Sequence, residues 1–121
     1  MKEKDIQSQV RFTVLGKPVA KQRPKFGKGR VYTPGLTKQY EEAVGWAARG
    51  VIKEPFAGPV SVTIDAYIHR KMDCDNIAKS ILDGMNGICY QDDDQVIELT
   101  VKKHKARDHW DQRAEIEVKG L

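Results

Sequence analysis

Asp73, Cys74, Asp75 and Asn76 form one run, Lys79 follows four residues after Asp75, and a second acidic run, Gln91-Asp92-Asp93-Asp94-Gln95, lies further along. From Asp83 to Glu98 there are five acids and no Lys or Arg, so no local cation neutralises them. Three carboxylates gathered within ~5 Å would repel pairwise by roughly 3 kcal/mol at an effective dielectric of 20. Such a cluster persists when a cation holds it. Donor sets made only of oxygen suit Mg²⁺ or Mn²⁺ rather than Zn²⁺, and Mg²⁺ leaves several positions to water and substrate phosphate. The chemistry this supports is hydrolysis of a phosphodiester. The same residues have a structural reading: Asp73 or Asp75 caps a helix, worth ~1 kcal/mol, and Asp92 to Asp94 form a solvated turn. Neither run is specific by itself.

Lys79 adds a cation one helical turn from Asp75 on the same face. In the structural reading it forms an ordinary surface pair. In the chemical one it stands beside a metal-bound phosphate and stabilises charge developing on the scissile group. Asp83, one turn further, either positions Lys79 or is exposed. Asn76, Asp83 and Asp92 are the neighbours that would orient this set.

The elements that must hold these residues follow from periodicity. Val10, Phe12 and Val14 alternate with Arg11, Thr13 and Leu15 as a first strand, which Gly16 ends. Tyr40, Val44, Ala47 and Ala48 predict a helix over Thr37 to Arg49, stopped at Gly50. Val60 to Ile68 alternates along its whole length and reads as a half-buried strand. Ile77, Ile81 and Met85 mark a second helix that begins near Asp73 to Asp75 and ends before Gly87. Runs at Ile97, Leu99, Val101 and at Ala114, Ile116, Val118 predict two more strands. The acids therefore flank the second helix at both ends. The fold class expected is α+β, a small mixed or antiparallel sheet with two helices packed on it, as one domain over residues 1–121. Residues 1–9 read as a flexible arm and 17–34 as a basic loop, with a short strand at Val31 to Thr33.

Charge is divided along the chain. Residues 1–40 carry ten Lys/Arg against two Asp/Glu, and residues 41–121 carry eleven against fifteen. A balance of +8 against −4 points to a polyanion gripped by one region while the other supplies carboxylates. Lys17, Lys21, Arg23, Lys25, Lys28 and Arg30 lie within fourteen residues, and no acid occurs from Ile6 through Tyr40. Prolines and glycines keep this segment extended, suited to lie along DNA phosphates without reading bases. Phe26 or Tyr32 either stacks on an unpaired base or packs against the body, the latter favoured. Cys74 and Cys89 are too few for a disulfide framework and lack zinc spacing. His69, His104 and His109 are scattered, Arg70-Lys71 and Lys102-Lys103 read as solvated strand ends, with DNA contact the lesser alternative, and Trp46 and Trp110 as core or interface residues rather than base platforms. No apolar run is long enough to span a membrane and no secretory leader is evident at the start, so a soluble cytoplasmic protein is expected.

With these motifs in place, the chain resembles the RusA family of Holliday junction resolvases. That family carries an Asp-x-Asp-Asn segment, a Lys four residues after its second Asp, and an Asp-Asp-x-Gln-Val segment. Here these are Asp73-Cys74-Asp75-Asn76, Lys79 and Asp92-Asp93-Asp94-Gln95-Val96. Gly16 to Pro24, Tyr32-Thr33-Pro34, and Thr37 through Tyr40-Glu41 resemble the start common among its phage and Gram-positive members. The likeness spans about residues 10 to 119. It implies a homodimer, a Mg²⁺ cofactor with Mn²⁺ as substitute, and branched DNA, a four-way junction, as partner. It also implies Asp73, Asp75 and Asp93 as metal ligands and Lys79 as a catalytic or DNA-contacting residue. Two departures stand out: Cys74 occupies a position where Leu is usual, and Asp94 adds a third consecutive acid. Alignment through Gln95-Val96 favours Asp93 as the ligand, with Asp92 and Asp94 the alternatives. The expected activity is a crossover junction endodeoxyribonuclease in which metal-activated water attacks phosphorus. The rivals are a non-catalytic DNA-binding module and a metal nuclease acting on other branched DNA or on RNA. A Ca²⁺ loop is disfavoured because the segment after Asp75 lacks alternating acids and the required Gly.

Overall fold

The computed structural model describes residues 8–21, 25–27, 30–32 and 35–121, with side chains outside 22–34. Alternation of apolar residues builds strands β1 (Gln9–Leu15), β4 (Val60–Ile68) and β6 (Arg113–Gly120), each turning every second residue into the core. The remaining strands are β2 (Lys25–Gly27), β3 (Arg30–Tyr32) and β5 (Val96–Lys105); the helices are α1 (Gly35–Arg49) and α2 (Cys74–Met85).

The main sheet has the order β1-β6-β4-β5. β6 is antiparallel to both β1 and β4, whereas β4 and β5 are parallel. Parallel neighbours need a crossover, and α2 supplies it. Register sets apolar residues in rows across the sheet, Val10 beside Val118 beside Val62, then Phe12, Ile116 and Ile64. Tyr40, Val44 and Ala48 of α1 and Ile77, Ile81 and Met85 of α2 cover these rows, and all are buried. Each such large side chain contributes about 1.5–3 kcal/mol. The opposite sheet face is polar, with Arg11 paired to Glu117 at 3.0 Å and His104 bonded to Asp65 at 2.7 Å. The α+β architecture with two helices on a mixed sheet is as expected.

Several local readings change. β1 starts at Gln9, inside the segment read as an arm, and Ser8 accepts a hydrogen bond from the Gly120 N–H at 2.9 Å. The basic loop contains a two-stranded hairpin, β2 paired with β3. β5 is an edge strand, so Ile97 and Leu99 are 63% and 45% exposed and only Val96 and Val101 of its apolar residues pack on the core. Trp46 and Trp110 are 71% and 89% exposed and so belong to the surface rather than the core. Cys74 and Cys89 are unbonded, and burial pushes the Cys89 thiol up to about 12. No helix among the described residues is long and apolar enough to cross a membrane.

Candidate active site

β4 ends at Ile68, and the five residues after it deliver Asp73 to the N-cap of α2. Asp73 has extended backbone there, yet its carboxylate makes no capping hydrogen bond. Asp75 lies in the first turn, and its Oδ1 accepts the Asn76 N–H at 2.9 Å. Both carboxylates are exposed. Asp73 and the remaining oxygen of Asp75 are thus left as hard donors, which fit a cation such as Mg²⁺. A cleft lined by Ala20, Lys71, Met72, Asp73, Asn76 and Lys103 opens beside Asp73. Lys103 closes one wall by donating to the Met72 carbonyl at 2.8 Å.

One turn along α2, the Lys79 ammonium meets Asp83 Oδ1 at 3.1 Å. The other oxygen of Asp83 faces Lys21 at 3.0 Å, and Lys21 also donates to Glu41 at 2.8 Å. The hydrogen bond to Glu41 raises the Lys21 pKa above its ordinary 10.5, against desolvation and with help from Asp83. Asp83 therefore pairs with two lysines and is half-buried rather than simply exposed.

The backbone completes this anchorage. The Lys21 N–H donates to the Asn76 carbonyl at 2.8 Å, and the buried Thr37 hydroxyl donates to the Ala20 carbonyl at 3.3 Å. The basic segment consequently departs from a point pinned against the start of α2. Of its six basic residues, Lys17 is exposed and Lys21 is engaged with Glu41 and Asp83. Lys25 and Arg30 stand on β2 and β3 with side chains outside the described set; Arg23 and Lys28 lie outside the described residues, as do the side chains of Phe26 and Tyr32.

The second acidic run forms a single turn, Asp93–Gln95, leading into β5. Gln95 fastens it: its side-chain oxygen accepts the N–H groups of Gln91 and Asp92 at 2.9 and 3.2 Å, and its amide donates to the Phe56 and Gly58 carbonyls, both at 2.8 Å. Asp92, Asp93 and Asp94 are left exposed. Tyr90, whose hydroxyl is pushed up mainly by burial, also feels Asp93 and Asp83, which sets Asp93 near the C-terminal end of α2. Because β4 and β5 are parallel, acids before β5 lie at the opposite end of the sheet from acids after β4. The twelve residues of α2 alone span ~18 Å. One chain thus carries Asp73, Asp75 and Lys79 within the first two turns of α2, with the Lys79 ammonium turned to Asp83, and leaves Asp93 apart. Among the described residues, no three His, Cys, Asp or Glu are grouped closely enough to hold a metal ion.

Sequence reasoning named Glu41, Gln95 and Lys103 but not their distant partners, Lys21, the Phe56 and Gly58 carbonyls, and the Met72 carbonyl. It also passed over the meeting of His69 and His109 in one recess at the end of the sheet. No spacing rule signals these, since helix packing and strand pairing create them.

Residues 16–119 match the family described as Endodeoxyribonuclease RusA. A relative from Bacillus subtilis (strain 168), the uncharacterized protein YqaN, is 30% identical, with 78% of this chain and 86% of that protein covered. A match over most of the chain, with Asp73, Asp75, Lys79 and the Asp92 to Val96 run inside it, makes this protein a member of the RusA endodeoxyribonuclease family.

Proposed function

We propose that the protein is a Mg²⁺-dependent crossover junction endodeoxyribonuclease that acts as a homodimer, in the cytoplasm, in DNA recombination and repair. The observation that carries this reading is the exposed Asp73 carboxylate, free of any capping bond, with Asp75 in the same first turn of α2, where the Lys21 N–H pins the origin of the basic segment to the Asn76 carbonyl. Asp73 and Asp75 would hold the cation, with Mn²⁺ able to replace Mg²⁺. Bound there, it would supply Lewis acidity and activate water for attack on phosphorus. Lys79, held by Asp83, faces charge building on the phosphoryl oxygens, while Lys71 and Lys103 in the cleft wall grip flanking phosphates. Lys17 and the basic residues of 22–34 extend that grip along the DNA.

Asp93 enters this scheme from the partner. β5 is a self-complementary edge: Asp92 to Asp94 precede it, Ile97 and Leu99 lie exposed at its first half, and Lys102, Lys103 and Lys105 close it. Two β5 edges paired antiparallel across a two-fold axis would set the acids of each against the lysines of the other. The partner's Asp93 would then lie near Lys103, beside the loop that carries Asp73. A two-fold enzyme also matches the two-fold symmetry of a four-way junction, so two sites would nick opposing strands symmetrically.

The test is incubation of the protein with a labelled four-way junction and a linear duplex, with and without Mg²⁺, beside Asp75→Asn. Paired, metal-dependent nicks confined to the junction are expected. Asp75→Asn should bind the junction within about twofold of wild type and cut at least ~100-fold more slowly, because the amide keeps the helix start but gives up the ligand charge. Junction binding without cleavage under any divalent metal would reduce the protein to a DNA-binding module.

A further inference from the structure

A second feature lies at the end of the sheet where β1 and β4 finish and β6 begins. Lys17, His69, Arg70, His109 and Gln112 line a recess of about 160 Å³ there. That is below the roughly 300–1,000 Å³ of pockets that enclose a whole small molecule, so it suits one group of a larger ligand. Gln112 is buried and spends its polar atoms on the frame. Its side-chain oxygen accepts the His69 N–H at 3.1 Å, its amide donates to the His109 carbonyl at 3.1 Å, and its backbone carbonyl accepts the Gly16 N–H at 3.0 Å. Three strand ends are thereby fixed around the recess. Among the described residues, neither Lys17 nor Arg70 has an acidic partner at salt-bridge distance. The nearby acids are already occupied: Asp111 by Arg107 and Arg113, and Asp108 by the N–H groups of Trp110 and Asp111.

The same turn presents Trp110. Its indole is 89% exposed and meets His109 edge-on, with ring centroids 5.3 Å apart. The backbone beneath is held by the Asp108 cap and by the Arg107 N–H donating to Asp111 at 2.9 Å. An aromatic plate is therefore carried on a hydrogen-bonded turn beside a cationic recess. Arg70 is three residues before Asp73, a reach of at most ~11 Å, so both features share the end of the molecule that carries the proposed cleavage site.

We infer that this is a binding site for an unpaired nucleotide of the DNA, with Trp110 stacked on its base and Lys17 and Arg70, flanked by His69 and His109, on its phosphate. Stacking on an aromatic side chain tolerates any base and is available only where pairing is broken, as at a branch point. The recess supplies the phosphate contact that fixes where the plate lands. This deepens the junction-cutting reading and rests on it.

The experiment uses the Trp46→Phe protein, in which Trp110 is the remaining tryptophan. A labelled four-way junction is titrated without divalent metal, following its anisotropy and the Trp110 emission together. Emission should fall about twofold as anisotropy rises, and a linear duplex of equal length should leave it near its starting value. Trp110→Ala should bind the junction roughly 5- to 100-fold more weakly, with Trp110→Phe recovering most of that loss. Anisotropy that rises with unchanged emission, or equal quenching by duplex, would overturn the stacking site and leave the enzyme reading intact. No anisotropy change with the junction would overturn both.

Discussion

Asp83 shows how much of the site rests on one residue that need not touch DNA. Its two oxygens hold Lys79 at 3.1 Å and Lys21 at 3.0 Å, so it fixes the lysine proposed to face the phosphate and the strap that starts the basic segment. Asp83→Asn should slow single-turnover cleavage by about 10–100-fold, the scale for residues that orient a metal site, with junction affinity changed less than about twofold. Lys21 gives a pH test. Its pKa is raised by Glu41 and Asp83, so the stability it contributes is fully present below its ordinary 10.5 and is lost as pH rises through the higher folded value. Wild type should exceed Lys21→Met by ~1 kcal/mol in urea unfolding at pH 8, and that gap should shrink above pH 10.5. That Asp75 and Lys79 share a face of α2 was legible from their spacing of four, whereas the engagement of the Lys79 ammonium by Asp83 was one of two readings. The pairing of Lys21 was not legible, because Glu41 is 20 residues away and only the packing of α1 on α2 brings it near.

At the scale of elements, period carried the prediction where burial is regular. β4 and α2 were readable to within a residue or two, because one face of each is buried along its length. β5 alternates just as well, but period two is the same for a central strand and an edge strand, so the exposure of Ile97 and Leu99 was not legible. Nor was the parallel pairing of β4 and β5, which decides where Asp93 lies. The crossing of α1 and α2 depends on a residue without a side chain. A Cβ on Gly84 would lie 2.8 Å from both the Glu41 carbonyl and the Val44 Cβ. Neither can retreat cheaply, since one is backbone and the other is in the core. Gly84→Ala should therefore destabilise the protein by about 1–3 kcal/mol, read as a lower urea midpoint at unchanged slope. Because Asp83 and Glu41 sit on this crossing, cleavage should fall with it.

The whole molecule raises the question of which chain completes each site. Within one chain, α2 stands between Asp75 and Asp93, and β4 and β5 carry the two acidic runs to opposite sheet ends. If the partner supplies Asp93, activity must obey a rule of complementation. Asp75→Asn and Asp93→Asn should each be inactive as homodimers. In a mixture, the heterodimer has one site with both substitutions and one with neither. Random exchange of equal amounts makes half the molecules heterodimers, so nicking should recover to about one quarter of the wild-type rate per site. If each chain builds its own site, every site in the heterodimer carries one substitution and mixing recovers nothing. Leu99→Lys separates pairing from chemistry. It puts a charge on the exposed part of the β5 edge, a device by which proteins block edge pairing. The variant should sediment as a monomer and lose cleavage while retaining its fold by circular dichroism. A monomer that still makes paired nicks, or a mixture that stays silent while exchange is complete, would return Asp93 to its own chain and remove β5 as the shared edge.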